Sequence, residues 1–284
     1  MSKNSGLAAE GYLRQARQEI AAWETGQRSY FARLGDFALN PAAKLTARMV
    51  PQSIQVKAGQ VIEKTLRQTA EAGKFSVDDK AITKQRSKHL GRKKALGLRL
   101  KACDELAKQY WNSHCGYAAA EGAATGVIGL AGFVADIPLI LSIAIREIRT
   151  IALCYGYSSS DPRETEYVLE VLRLTSSGHG AARTAGLKTL KELEQKIAHT
   201  VPQKKTASTK PDTSLHEFAK SLAIELVQRR ALQVVPIAGA VTGAAFNAAY
   251  ANDVGRTAFM CYRRRFLHEP ANFPAVKNQG YLSP

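Results

Sequence analysis

Long apolar runs are missing from this chain, and with them the simplest membrane architecture. No stretch of 20 residues is dominated by Leu, Ile and Phe, although a helix needs about that many to cross a bilayer. A hydrophobic content of 45% and a mean hydropathy of −0.21 fit a soluble or peripheral protein better than a polytopic one. The opening MSKNSGLAAEGY has no apolar core of signal-peptide type, so export by a standard signal is not expected. The four cysteines, Cys103, Cys115, Cys154 and Cys261, form no C-x-x-C pair and read as buried free thiols in a reducing compartment. Alternation of apolar and polar residues never persists, which excludes strands and leaves an all-α fold.

Catalytic signatures are equally absent. There is no Walker A loop, no G-x-G-x-x-G after a strand, no G-x-S-x-G elbow and no H-E-x-x-H. The six histidines are scattered, and His114 and His216 read as ordinary helix residues. Neither a metal site nor a cofactor is expected. Acidic residues are scarce too: 24 Asp and Glu face 40 Lys and Arg, for a net charge of +16. So basic a chain points to a polyanionic partner, either an anionic membrane surface or nucleic acid.

What is present is a pair of low-charge stretches. Between Gly122 and Ile145 the one charge is Asp136, which separates a Gly/Ala-rich half from an Ile/Leu-rich half; Ala231 to Asn252 carries no formal charge. On one continuous helix, Gly122, Gly126 and Gly129 share a face, and Gly239 and Gly243 repeat the spacing. Each glycine costs a helix about 1 kcal/mol relative to alanine, so such faces predict a groove for close approach of another helix, with the two stretches packed in one core. The expected architecture is a multi-helix bundle built around them. As a membrane span the first stretch is marginal, because Asp136 near its middle would cost about 2.5–3.5 kcal/mol.

Asp136 admits two readings. In Asp136-Ile137-Pro138 it can cap a following helix, with proline in the first turn, so that two helices meet at residues 132–136. Alternatively it is a buried acid facing Arg146 or Arg256, with Asn247 as a further partner. Arg146, Glu147 and Arg149 read as a solvated ion-pair cluster closing the apolar run. Arg263, Arg264 and Arg265 read as a basic helix end that suits the helix dipole.

The densest charge lies in residues 84–101, KQRSKHLGRKKALGLRLK, with eight cations (Lys84, Arg86, Lys88, Arg92, Lys93, Lys94, Arg99, Lys101) and no acid. A basic cluster close to an apolar segment gains about 1 kcal/mol per charge at an anionic leaflet. No RNP-type aromatic motif, zinc spacing or helix-turn-helix signal accompanies it, so a membrane surface is favoured over nucleic acid. Along the rest of the chain, amphipathic helices are expected over residues 1–50, with Leu13, Ala16, Ile20 and Trp23 on one face. The main helical domain is expected over 51–267, with a flexible Pro/Lys/hydroxyl-rich loop at 199–214, and a polar tail over 268–284.

The two stretches also carry a resemblance. EGAATG, GLAG and ADIPLIL followed by R-x-I-x-x-I-A-x-x-YGY, and later VPIAGAVTGAA-x-N with DVGR and RRRFL, resemble the EcsC family over residues 116–157 and 234–267. Elsewhere Trp23 and Pro51 stand in the corresponding places. The family takes its name from a protein encoded beside a bacterial ABC transporter. The resemblance therefore implies a helical, membrane-linked accessory protein on the cytoplasmic face, and it brings no catalytic residues. Three functions remain open at this point. One is such a non-enzymatic accessory protein, docked on an anionic membrane beside a transporter or other membrane protein. The second is a module binding lipid or another hydrophobic ligand. The third is an enzyme with a buried polar site made of Asp136, Arg146, Asn247 and Arg256.

Overall fold

Helix periodicity along the chain becomes helices and no strands among the described residues of the computed structural model, which are 3–26, 51–72, 77–125, 129–158, 162–177, 180–199, 213–231 and 239–269. The helices are α1 (Lys3–Glu24), α2 (Gln52–Ala72), α3 (Asp79–Leu90), α4 (Leu96–Thr125), α5 (Gly129–Tyr155), α6 (Pro162–Ser176), α7 (Ala181–His199), α8 (Thr213–Ala231) and α9 (Gly239–His268). The expectation of an all-α fold holds.

Local chemistry sets several of the boundaries. The Asp78 side chain accepts from the Ala81 amide at 2.9 Å and caps α3. Gly156, at φ +96°, ends α5. Its amide donates to the Leu153 carbonyl, and the Tyr157 amide reaches back to Ala152, both at 3.0 Å. That pair of bonds is a Schellman stop; it turns the chain so that Tyr157 is buried against Tyr262. Pro162 opens α6, where its missing N–H costs nothing.

One boundary differs from expectation. The first low-charge stretch does divide into two helices, but α4 ends at Thr125 and α5 begins at Gly129. The junction is upstream of 132–136, and α5 runs unbroken through Asp136 with Pro138 inside it. Asp136 is therefore no cap. An internal proline costs a helix about 3 kcal/mol, and the burial of Ile137, Ile140, Leu141 and Ala144 offsets it.

Helices α4, α5 and α9 form the centre. Helix α9 lies along both α4 and α5, and Ile137, Ile140, Leu141, Ala144 and Ile145 of the first low-charge stretch join Tyr250 of the second in one hydrophobic cluster. Tyr155 of α5 bonds Asp104 early in α4, while Ile140 and Ala144 meet Ala118 late in α4; α4 and α5 are thus antiparallel, and α9 runs parallel to α5. Around this trio, α1 and α3 cover α4, the α2–α8 pair covers α5, and α6 with α7 closes the side of α9. Ala16, Trp23 and Ile62 join Leu106, Ile148 and Tyr262 in a single hydrophobic cluster. Among the described residues, no helix is long and apolar enough to cross a membrane.

Candidate functional site

Polar groups enter the seam between α4, α5 and α9 at three levels, separated by apolar layers. The first level is ionic. Arg263, Arg264 and Arg265 close α9, and each is almost wholly buried. Successive helical residues point about 100° apart, so three in a row cannot share a face. Each reaches a different neighbour. Arg263 meets Asp104 of α4 at 2.8 Å and also Glu19 of α1. Arg264 meets Glu24 of α1 at 2.8 Å and Glu194 of α7 at 2.6 Å. Arg265 meets Glu164 of α6 at 2.8 Å and stacks over the Tyr157 and Tyr167 rings. The basic helix end read from the sequence is an internal clasp joining five helices.

Tyrosines complete the clasp. Tyr12 and Tyr155 each donate to a different oxygen of Asp104 at 2.6 Å, and Tyr167 donates to Glu194 at 2.6 Å. Burial raises the Asp104 pKa against the opposing pull of Arg263 and the two tyrosines. For Glu19 and Glu24 burial pulls upward too, but the hydrogen bonds from Arg263 and Arg264 outweigh it and hold both below the ordinary carboxylate value.

About 12 Å further along α5, by the rise of eight residues, lies the second level. Glu147 is fully buried, and neither carboxylate oxygen has a hydrogen-bond partner. Trp111 of α4 and the Glu147 carboxylate both press on Gly255 of α9, where a Cβ would collide with them. Glycine is required there for close approach. Burial holds the Glu147 carboxyl well above the usual range, which favours its neutral, protonated form. It also pushes the neighbouring Cys115 thiol up to about 12, and it lowers His114 to about 4 with help from Arg146. Phe259, packed on Trp111 at 5.9 Å and on Tyr155 at 6.2 Å, separates this level from the clasp. The solvated cluster expected at the end of the apolar run is thus mostly interior: Glu147 and Arg149 are buried and only Arg146 is exposed.

The third level, one turn beyond Glu147, is a small cavity with room for about one water molecule, partly open to solvent. It is bordered by Asn247 and Tyr250 of α9, Ala118 of α4, and Ile140 and Ala144 of α5.

The residues singled out from the sequence are distributed differently. Asn247 is buried at the cavity, Asp136 and Arg256 are half-buried, and Arg146 is exposed. Asp136 and Arg146 share one helix ten residues apart, a rise of about 15 Å, and do not form a common site. Gly122 is buried near the end of α4, while Gly129 opens the next helix, so the single-helix register that aligned them does not apply. Gly126 lies outside the described residues. Gly239 and Gly243 occupy the first turns of α9. In the basic run, Lys84, Lys88, Arg92, Lys93, Lys94 and Lys101 are exposed, and Arg86 and Arg99 are half-buried. All four cysteines are free.

Sequence reasoning missed the clasp and Glu147. A signal for the clasp existed: AFMCYRRRFL is apolar on all sides of the three arginines, so they cannot all leave the core. Glu269, four residues on, meets Arg265 at 3.3 Å, but the other acidic partners lie 70 to 244 residues away in the chain, and nothing local names them.

Comparison with known proteins bears out the resemblance and extends it. The uncharacterised protein YdbA of Bacillus subtilis (strain 168) is 28% identical over 265 residues, covering 90% of this chain and 93% of its own. Protein EcsC of the same organism is 29% identical over 180 residues, 63% of this chain and 70% of that one. No solved structure matches. The profile of the EcsC protein family matches residues 14–267, from the middle of α1 to the end of α9 beyond the arginine clasp, and the chain belongs to that family.

Proposed function

We propose that the protein is a non-enzymatic helical accessory protein that docks peripherally on the anionic cytoplasmic surface of a membrane, beside a transporter or another membrane protein. The observation that carries this reading is the exposure of Lys84, Lys88, Arg92, Lys93, Lys94 and Lys101 on α3, the turn after it and the start of α4, with no acid within 84–101. Lys101 has Glu105 at 3.9 Å, a weak exposed pair. Such a face is attracted to an anionic leaflet across a Debye length of about 8 Å at physiological salt, at about 1 kcal/mol per cation. The transporter link follows from what the family resemblance implies. The Asn247 cavity offers little to the ligand-binding alternative, because it has room for about one water molecule, whereas pockets for small organic ligands are typically about 300–1,000 Å³.

The test is sedimentation with vesicles of phosphatidylcholine alone or mixed with phosphatidylglycerol, at graded salt. The protein should pellet with the anionic vesicles and be released as salt rises. Reversing Lys88, Arg92, Lys93 and Lys94 to glutamate should abolish pelleting while leaving the melting temperature unchanged, since these residues are exposed. Equal pelleting of the variant would sink the reading. So would tighter binding to duplex DNA than to vesicles at the same salt, which would favour nucleic acid as the polyanion.

A further inference from the structure

Ile82 and Leu90 of α3 are both buried in the core, and Arg86 stands midway between them, one turn from each and on the same face. An aliphatic side chain would continue that stripe. The Arg86 Nε is sealed from solvent with no hydrogen-bond partner, while the residue as a whole stays half-exposed. Among the described residues no carboxylate faces it: the ionisable groups near it are Cys103 of α4, Cys154 of α5 and Arg99. Those thiols supply no counter-charge, because burial pushes Cys103 up to about 12 and Cys154 higher still, leaving both as neutral S–H. The contrast with Arg263, Arg264 and Arg265 is direct, since each of them has a carboxylate of this chain. Lys84 and Lys88 stand exposed on either side of Arg86 in sequence, and Lys93 and Lys94 follow beyond the turn.

We propose that Arg86 is an anion receptor within the basic face, binding the phosphate group of its ligand through the terminal guanidinium nitrogens. The guanidinium fork matches two phosphate oxygens at once, which a lysine cannot do. On the membrane reading above, on which this inference rests, the phosphate is that of an anionic phospholipid headgroup. The exposed lysines then supply diffuse attraction, and Arg86 supplies a partly desolvated contact, which salt screens less.

Arg86→Leu continues the apolar stripe and should melt at or above the temperature of the parent. Arg92→Gln removes the same charge from an exposed position and serves as reference. On phosphatidylglycerol vesicles, Arg92→Gln should weaken binding about fivefold at low salt and little at high salt. Arg86→Leu should weaken it about tenfold or more, retain that loss at high salt, and be only partly rescued by Arg86→Lys. Independently of any variant, the Arg86 Nε–Hε resonance of the labelled parent should shift on titration with short-chain phosphatidic acid. A matching shift with inorganic phosphate would mean that the site takes phosphate from either source, whereas a shift with the lipid alone would assign it to the headgroup. If the parent fails to bind vesicles but the resonance shifts with inorganic phosphate, the membrane reading falls and the phosphate site stands. No shift with either ligand, together with equal losses for the Leu and Gln variants, would show that Arg86 merely extends its stem past the core, and would overturn the proposal.

Discussion

A carboxyl group held neutral in the core makes the folded state prefer acid, and Glu147 gives that preference a sign. Its pKa in the folded state stands above the ordinary value of 4.5 because burial disfavours its charged form. Below that ordinary value both states carry the proton, and the stability of the fold is intact with respect to this group. As pH rises past it, the unfolded chain releases the proton and the folded one does not, so stability falls by about 1.4 kcal/mol per pH unit until the folded pKa is reached. Glu147→Gln keeps the shape and removes the titration. Urea melts between pH 5 and pH 8 should therefore show the glutamine variant gaining on the parent as pH rises. Parallel stability curves would mean that Glu147 is ionised or hydrated in solution.

Helix α1 is held by two devices of different kind. Near its start the Ala9 backbone lies directly on Gly97 of α4, so close that a Cβ on Gly97 would overlap it. Near its end Glu19 and Glu24 meet the arginine clasp, and the Arg183 guanidinium stacks 4.7 Å over the Trp23 ring. Gly97→Val should lift α1 at the cost of at least about 1–3 kcal/mol, read as faster amide exchange over 3–24 while α5 and α9 stay protected. Acid should act on the other device: Glu19 and Glu24 have depressed pKa values, so their contribution is present above about pH 4.5 and is lost as pH falls through the folded values. Asp104 shifts the other way, and acid loosening of α1 is therefore carried by the two glutamates. Unchanged exchange in α1 for the valine variant would mean that α1 and α4 repack without the close crossing.

At the scale of the molecule, α4 spans about 45 Å, with the basic run at its start and the glycine-rich junction with α5 at its end. The basic residues thus do not lie beside the junction, as their closeness in sequence implied; a rigid helix carries them apart. On the proposed reading the basic end meets the leaflet. Amide exchange of vesicle-bound protein should accordingly slow over 84–101 and stay unchanged over 113–125, where Tyr117 is 68% exposed. Protection of 113–125 alone would place the glycine-rich end in the membrane and make insertion the mode of attachment.

Periodicity alone determined the helical class and the stripe of Ala16, Ile20 and Trp23. These depend on residues within one or two turns of each other, where backbone geometry and side-chain spacing leave few choices. The family resemblance was legible for a similar reason, because its motifs lie in the two contiguous stretches of the core. Burial of a charge is not a local property. Arg263, Arg264 and Arg265 read only as a basic helix end until α1, α4, α6 and α7 bring carboxylates to them. Glu147 looks like one member of an exposed pair series until Trp111 and Gly255 close over it. Asp136 looked like a cap because proline follows it, yet tertiary burial of Ile137, Ile140 and Leu141 outweighed the proline's preference and carried the helix through. Only the packed structure decides such cases, since the cost of desolvating a side chain is set by neighbours on other helices, from tens to more than two hundred residues away.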